Sequence, residues 1–185
     1  FSNPAAPAYV DSIDITPYGN INSIAVHNGV VACAVENSNP QANGFVIFLD
    51  QNGTLISQVP VGAMPDMITF NNDYTKVLVA CEGEPNSDYS VDPEGSIGIV
   101  DITGGYPTLT AANVTMVNFQ SFNGQEAALR TQGIRIFGPG SSAAQDFEPE
   151  YITISEDNST AYVSLQENNA MAVINIAAGT VNALL

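Results

Sequence analysis

Val77-Leu-Val-Ala-Cys-Glu-Gly-Glu-Pro-Asn-Ser-Asp-Tyr-Ser-Val-Asp-Pro-Glu-Gly-Ser96 carries an apolar, strand-type run into a burst of carboxylates: Glu82, Glu84, Asp88, Asp92 and Glu94. Two weaker copies of the same event flank it. One is Val30-Val-Ala-Cys-Ala-Val-Glu36-Asn37 and the other is Ala161-Tyr-Val-Ser-Leu-Gln-Glu167-Asn168-Asn169. Three strands that each run into Glu predict a repeat architecture with one acidic face. Glu82 follows Glu36 by 46 residues (82 − 36), and Glu167 follows Glu82 by 85 (167 − 82), which is one period plus an insertion.

The residues around each copy complete the repeat. In the first unit, strands are expected at Asn22–Val26, Val30–Val35, Phe45–Leu49 and Thr54–Val61. In the second they are expected at Asp66–Phe70, Lys76–Cys81, Ser96–Ile102 and Val114–Phe119. In the third they are expected at Glu150–Ile154, Thr160–Gln166 and Ala170–Ile176, with a fourth from about Thr180. They are short, Val/Ile-rich and joined by Gly, Asn and Asp turns. Four such strands in ~40–50 residues make a β-propeller blade. The sequence therefore reads as all-β, with blade units over 22–61, 66–119 and 150–185 and an insertion at 121–147 in which Gln125–Arg130 forms a short helix. A β-sandwich also shows many short strands, but its strands are not self-similar at a fixed period. Three blades fall short of the ~4–8 that close a ring, so the chain is expected to be the N-terminal part of a larger propeller. The alternating run Tyr9–Ile15 is then expected to be an outer strand that seals the last blade.

The 185 residues suffice for one domain with a real core. Three Lys and Arg face nineteen Asp and Glu, for a net charge of −16. Nucleic acid is an unfavourable partner, because neutralising phosphate needs basic residues. Divalent cations and cationic polymers are favoured, although acidity also serves solubility. No apolar run approaches the ~20 residues of a membrane span. Phe1-Ser-Asn-Pro-Ala-Ala-Pro7 resembles the start of a processed chain, and Asn52, Asn113 and Asn158 each open a glycosylation sequon. Cys33 and Cys81 lie in apolar runs and read as buried free thiols; in an oxidising compartment a disulfide between adjacent repeats is the alternative.

In a propeller blade the first strand lines the central channel and the second runs antiparallel to it. The start of the first and the end of the second therefore share one face of the disc. Polar residues occupy both points in every unit: Asn22 with Glu36, Asp66 with Glu82, Glu150 with Glu167. The loop from Glu84 to Glu94 and the segment Gln145-Asp-Phe-Glu148-Pro-Glu150 are expected to open on the same face. Crowded carboxylates must be protonated, hydrated or bridged by a cation. Irregularly spaced hard oxygens suit Ca²⁺. The candidate ligands are Glu82, Glu84, Asp88, Asp92, Glu94, Glu36, Glu167, Asp66, Glu150 and Glu148; the competing role for each is to cap a strand or bond loop amides. Zinc is disfavoured, since His27 is the single histidine and no cysteine cluster exists. No nucleophile elbow is present, and Gly138-Pro-Gly-Ser-Ser142 lacks the Lys of a phosphate loop. Paired carboxylates leave glycoside hydrolysis as a minor possibility.

Pro65–Phe70, Val79–Pro85, Asp92–Ser96, Gly133–Phe137, Asp146–Ile152 and Gln166–Ala170 together resemble the choice-of-anchor I family, which includes the mesenchyme-specific cell-surface glycoproteins. The resemblance covers the chain from about Asn22 onward. It implies a secreted or surface-anchored propeller. Animal members are associated with biomineralising cells, which fits calcium handling; some bacterial relatives carry alkaline-phosphatase-like labels. The expected function is thus a secreted or cell-surface propeller whose acidic, Ca²⁺-binding face binds matrix, mineral or glycan. The alternative is a metal-dependent phosphoesterase. A third reading is a structural unit whose open strand edges pair with further blades or other copies of the chain.

Overall fold

The computed structural model describes residues 3–9 and 11–185. Among the described residues, twelve strands form three antiparallel four-stranded sheets, each a meander in sequence order. Blade 1 comprises β1 (Asn20–His27), β2 (Val30–Glu36), β3 (Asn43–Asp50) and β4 (Leu55–Ala63). Blade 2 comprises β5 (Pro65–Phe70), β6 (Lys76–Cys81), β7 (Ser96–Asp101) and β8 (Val114–Asn118). Blade 3 comprises β9 (Pro149–Ile154), β10 (Thr160–Leu165), β11 (Ala170–Asn175) and β12 (Thr180–Leu184). The chain folds as three blades of an all-β propeller. First strands β1, β5 and β9 lie side by side at the centre.

The sheets are held face to face by what their middle strands bury. The middle strands of blades 1 and 2 are buried on both sides, as a sheet covered on both faces requires, whereas those of blade 3 alternate, with Tyr162 and Met171 exposed. Val46, Phe48 and Val59 of blade 1 meet Ile68, Val77 and Val79 of blade 2. Leu78, Ile97 and Val117 of blade 2 meet Ile152, Val163 and Ile174 of blade 3. Cys33 and Cys81 sit in different clusters and are both buried free thiols.

The insertion between blades 2 and 3 holds two short helices, α1 (Glu126–Thr131) and α2 (Ala143–Asp146). It is ordered because it contributes to the core: Leu129, Ile134, Ile136, Ala143, Ala144 and Phe147 join the cluster between blades 2 and 3. Phe147 packs edge-on against Phe119 and Phe122. Ser142 caps α2 by accepting from the Gln145 N–H, while the Gln145 side chain accepts from the Ser142 N–H.

The segment read as a sealing strand behaves differently. Val10 lies outside the described residues, while Tyr9 and residues 11–15 are not in any strand. Ile15 and Tyr18 instead pack on the outer cluster of blade 1, and Ile13 covers the β3–β4 turn at Gly53. Alternation marks a segment with one apolar face; here that face joins no ladder, Tyr9 and Ile13 stay exposed, and Ile15 alone is half-buried against the blade.

Candidate functional site

The three blades share a defect at one end. The pairing of first and second strands shifts register between Ile21 and Ser23 in blade 1, between Pro65 and Ile68 in blade 2, and between Val163 and Leu165, opposite β9, in blade 3. The residues inside these bulges include Asn22, Asp66 and Glu150. A β-bulge re-aims the side chains within it. The polar residue at the start of each first strand therefore leaves the regular pleat. The second strands end beside these bulges, at Glu36, Cys81 and Leu165.

The chain after β6 is fixed across the blade boundary. Glu82 N–H donates to the Met64 carbonyl at 3.0 Å and Gly83 N–H to the Ala63 carbonyl at 3.2 Å. Gly83 has φ +69° with the Glu94 backbone against it, and at Gly95 a methyl group would collide with the Phe147 carbonyl. Both ends of the acidic loop thus need glycine. Gly95 N–H donates to the Ala144 carbonyl, which ties the loop to the insertion.

These constraints bring part of the candidate set together. Glu82 is pushed up to about 8, first by burial and then by the charges of Glu84, Asp66 and Glu150; a hydrogen bond with Glu84, which needs a proton on one of the two carboxyls, adds to the effect. Glu148 is pushed up to about 7 by burial and by Glu84, Glu167, Asp146 and Glu150. Burial also raises Glu150, next to Glu167, Asp66 and Glu84, and it raises Asp66. Asp66, Glu82, Glu84, Glu148, Glu150 and Glu167 form one electrostatic group spanning blades 2 and 3. No Lys or Arg pairs with any of them; among the described residues the one salt bridge is Lys76–Asp101, at the opposite end of β6. Glu36 is not among the charges acting on Glu82 or Glu148. Asn22 spends its carboxamide on the blade boundary, donating to the Pro65 carbonyl at 2.9 Å.

The acidic loop itself is largely self-satisfied. Asp88 is exposed and accepts from Ser90 N–H and Oγ, which holds it below the usual carboxylate range. Asp92 accepts from Ser141 Oγ at 2.6 Å through Oδ2, while its Oδ1 is buried without a partner. Glu94 accepts from Gln120 Nε2 at 2.7 Å. Asp88, Asp92 and Glu94 therefore shape the loop or anchor it to the insertion. Among the described residues no three His, Cys, Asp or Glu side chains converge tightly enough to enclose a metal ion.

Two residues outside the expected set hold the group in place. Asn168 is fully buried. Its Nδ2 donates to the carbonyls of Arg135 and Asp146 and to Asp146 Oδ2, and its Oδ1 accepts from Glu148 N–H. Asp146 accepts from the N–H groups of Phe137 and Gly138. Asn168 thus joins blade 3 to the insertion and positions the backbone of Glu148. The sequence signal was adjacency alone: Asn168 follows Glu167, and Asp146 precedes Glu148 by two residues.

A cavity of about 330 Å³ opens beside this group, lined by Glu84, Glu148 and Glu167 together with Asn86, Tyr89 and Phe137. No described helix is long and apolar enough to cross a membrane.

The family model of the choice-of-anchor I domain matches residues 1–185. The chain belongs to the choice-of-anchor I family. No curated protein matches the sequence. Among solved structures, Kuenenia stuttgartiensis hydrazine synthase is similar at a TM-score of 0.58 and 19% identity, over 89% of this chain and 36% of that one. A functionally unknown protein from Desulfotomaculum acetoxidans is similar at 0.56 and 14%, over 90% of this chain and 43% of that one. A eukaryotic initiation factor is similar at 0.55 and 15%, over 96% and 34%. At these identities the likeness is one of fold. This choice-of-anchor I chain spans well under half the length of each. The choice-of-anchor domain and the propeller fold together suggest a cell-surface or extracellular protein.

Proposed function

We propose that this propeller is a binding module whose acidic rim captures divalent cations, Ca²⁺ above all, and through them matrix, mineral or glycan at the cell surface. The observation that carries this reading is the unpaired carboxylate group of blades 2 and 3, in which Glu82 and Glu148 are pushed up to about 8 and 7. Six acidic side chains held close without a basic partner cost free energy that a cation would recover. Asp66 and Glu150 sit where the bulges release them, Glu82 follows the end of β6, and Glu84, Glu148 and Glu167 face the cavity beside them. Hard carboxylate oxygens in a flexible, wide arrangement suit Ca²⁺, which accepts six to eight oxygen ligands, water included. Side-chain rotation toward the ion is part of the proposal.

Calorimetric titration of the intact protein with CaCl2 tests it. The expected result is saturable heat, proton release near neutral pH and a rise in Tm. The absence of both heat and a shift in Tm would contradict it. Glu82→Gln is expected to weaken binding about tenfold or more, as removal of one charged ligand does, whereas Asp88→Asn leaves it unchanged.

A further inference from the structure

We propose that the cavity between the acidic loop and the insertion binds a primary alkylammonium group, the charged end of a lysine-type side chain or of a free polyamine. The proposal rests on the reading of this rim as a cation-binding face, and it adds an organic cation to what this part of the rim receives.

Three observations carry it. First, Glu148 lines the cavity at 8% exposure, and none of the described residues donates a hydrogen bond to its carboxylate. A carboxylate of a largely buried residue that meets the cavity without a protein donor lacks what an ammonium group supplies, namely N–H bonds and a compensating charge. Secondly, the walls are mixed. Glu84 and Glu167 add two further acceptors, while Tyr89 and Phe137, 38% and 45% exposed, present aromatic rings at the rim. Rings attract an organic cation through their quadrupole and cover its methylene stem, but they cannot ligate Ca²⁺. The Phe137 ring already carries one cation, with the Arg135 guanidinium carbon 4.9 Å from its centroid. Thirdly, the space of about 330 Å³ is of small-molecule size and the acidic groups around it do not converge on a point. A bare ion leaves such a space largely to water; an alkylammonium with its methylene stem occupies more of it and meets the rings.

The chemistry of the walls selects a primary amine over a quaternary one. Three carboxylates reward a group with three N–H donors, which a quaternary ammonium lacks.

Calorimetry on the intact protein at neutral pH, with 1,5-diaminopentane, a lysine-rich peptide and CaCl2 as separate titrants, tests the proposal. Saturable binding of an amine titrant is expected, weakened about tenfold by the double change Tyr89→Ala and Phe137→Ala and similarly by Glu148→Gln. Both rings are exposed, so their truncation leaves the fold intact, and unchanged Ca²⁺ binding by the same variant checks this. Tighter binding of the peptide assigns a polypeptide source and tighter binding of the diamine a free polyamine; either supports the proposal. Absence of amine binding, or amine binding indifferent to loss of the rings, overturns it. Ca²⁺ heat without amine heat defeats this proposal alone, and amine heat without Ca²⁺ heat defeats the calcium reading alone.

Discussion

The two ends of the blades carry the same residue types in opposite states. At the end away from the rim, Asp50, Asp73, Asp101 and Asp157 each sit in or beside a turn. Each accepts from a Ser or Thr hydroxyl or from N–H groups two to four residues on. All four are held below the ordinary carboxylate range by those donors, Asp101 and Asp157 to about 2. At the rim, Asp66, Glu82, Glu148 and Glu150 are held above it by burial, to which neighbouring carboxylates add at the three glutamates. A net charge of −16 therefore hides two populations. One is satisfied locally and shapes turns. The other is crowded and has no basic partner among the described residues. Carboxylates that fold provides with donors are structural; those that fold crowds without donors are where a ligand has something to contribute.

The largest effect is expected at the residue that builds the rim. Asn168→Ala removes four buried hydrogen bonds and leaves the Glu148 N–H and two carbonyls unpaired, so denaturant titration is expected to show a loss of about 3 kcal/mol. Asn168→Asp keeps the acceptor but adds a charge beside Asp146, and a loss of similar size is expected. A loss below about 1 kcal/mol would mean that the insertion is held by its apolar contacts alone.

The next effect separates the two ends by pH. A carboxyl raised from 4.5 to about 8, as at Glu82, keeps its proton in the folded state while the unfolded chain gives its proton up. Its contribution is complete below pH 4.5 and is lost as pH rises toward 8. Glu148 acts alike up to about 7. Without divalent cations, stability is expected to fall across this window, and Glu82→Gln is expected to restore about 1 kcal/mol at pH 8, discounted for a group only partly buried. Thermal melts from pH 4.5 to 8.5 in chelator read this directly; a flat profile would break the contrast.

The smallest effect lies at the far end. Asp101, lowered from 3.8 to about 2 by Thr103 and Lys76, contributes stability above pH 3.8 that disappears as pH falls toward 2. Asp101→Asn is expected to cost about 0.5 kcal/mol at pH 7, since the pair with Lys76 is exposed and screened, and nothing at pH 2. Ca²⁺ is expected to leave this difference unchanged.

Much of the fold was legible because strand periodicity and turn chemistry are local. Lys76–Cys81 is a strand with the same bounds in sequence and structure, and the recurring Glu36, Glu82 and Glu167 mark the ends of the second strands. Local pattern misled at Tyr9–Ile15, where one apolar face is shared by strands and by packed coil. The site was half legible. Its acidic members could be read from strand order. Its organisation could not: the bulges that release Asp66 and Glu150 depend on cross-strand register, and the Asn168–Asp146 staple links positions 22 residues apart in sequence. Nor could spacing show that Asp88, Asp92 and Glu94 are occupied by Ser90, Ser141 and Gln120.

The contrast between the two ends is tested most directly by carboxyl ¹³C NMR titration of the intact protein with glutamate and aspartate labelled, in chelator and again in Ca²⁺. Glu82 and Glu148 are expected to titrate near 8 and 7 in chelator and to move to acidic values in Ca²⁺, while Asp101 and Asp157 stay near 2 in both. Rim carboxyls that titrate at the ordinary 4.5 in chelator, or that ignore Ca²⁺, would contradict the claim that this face is built to receive a cation.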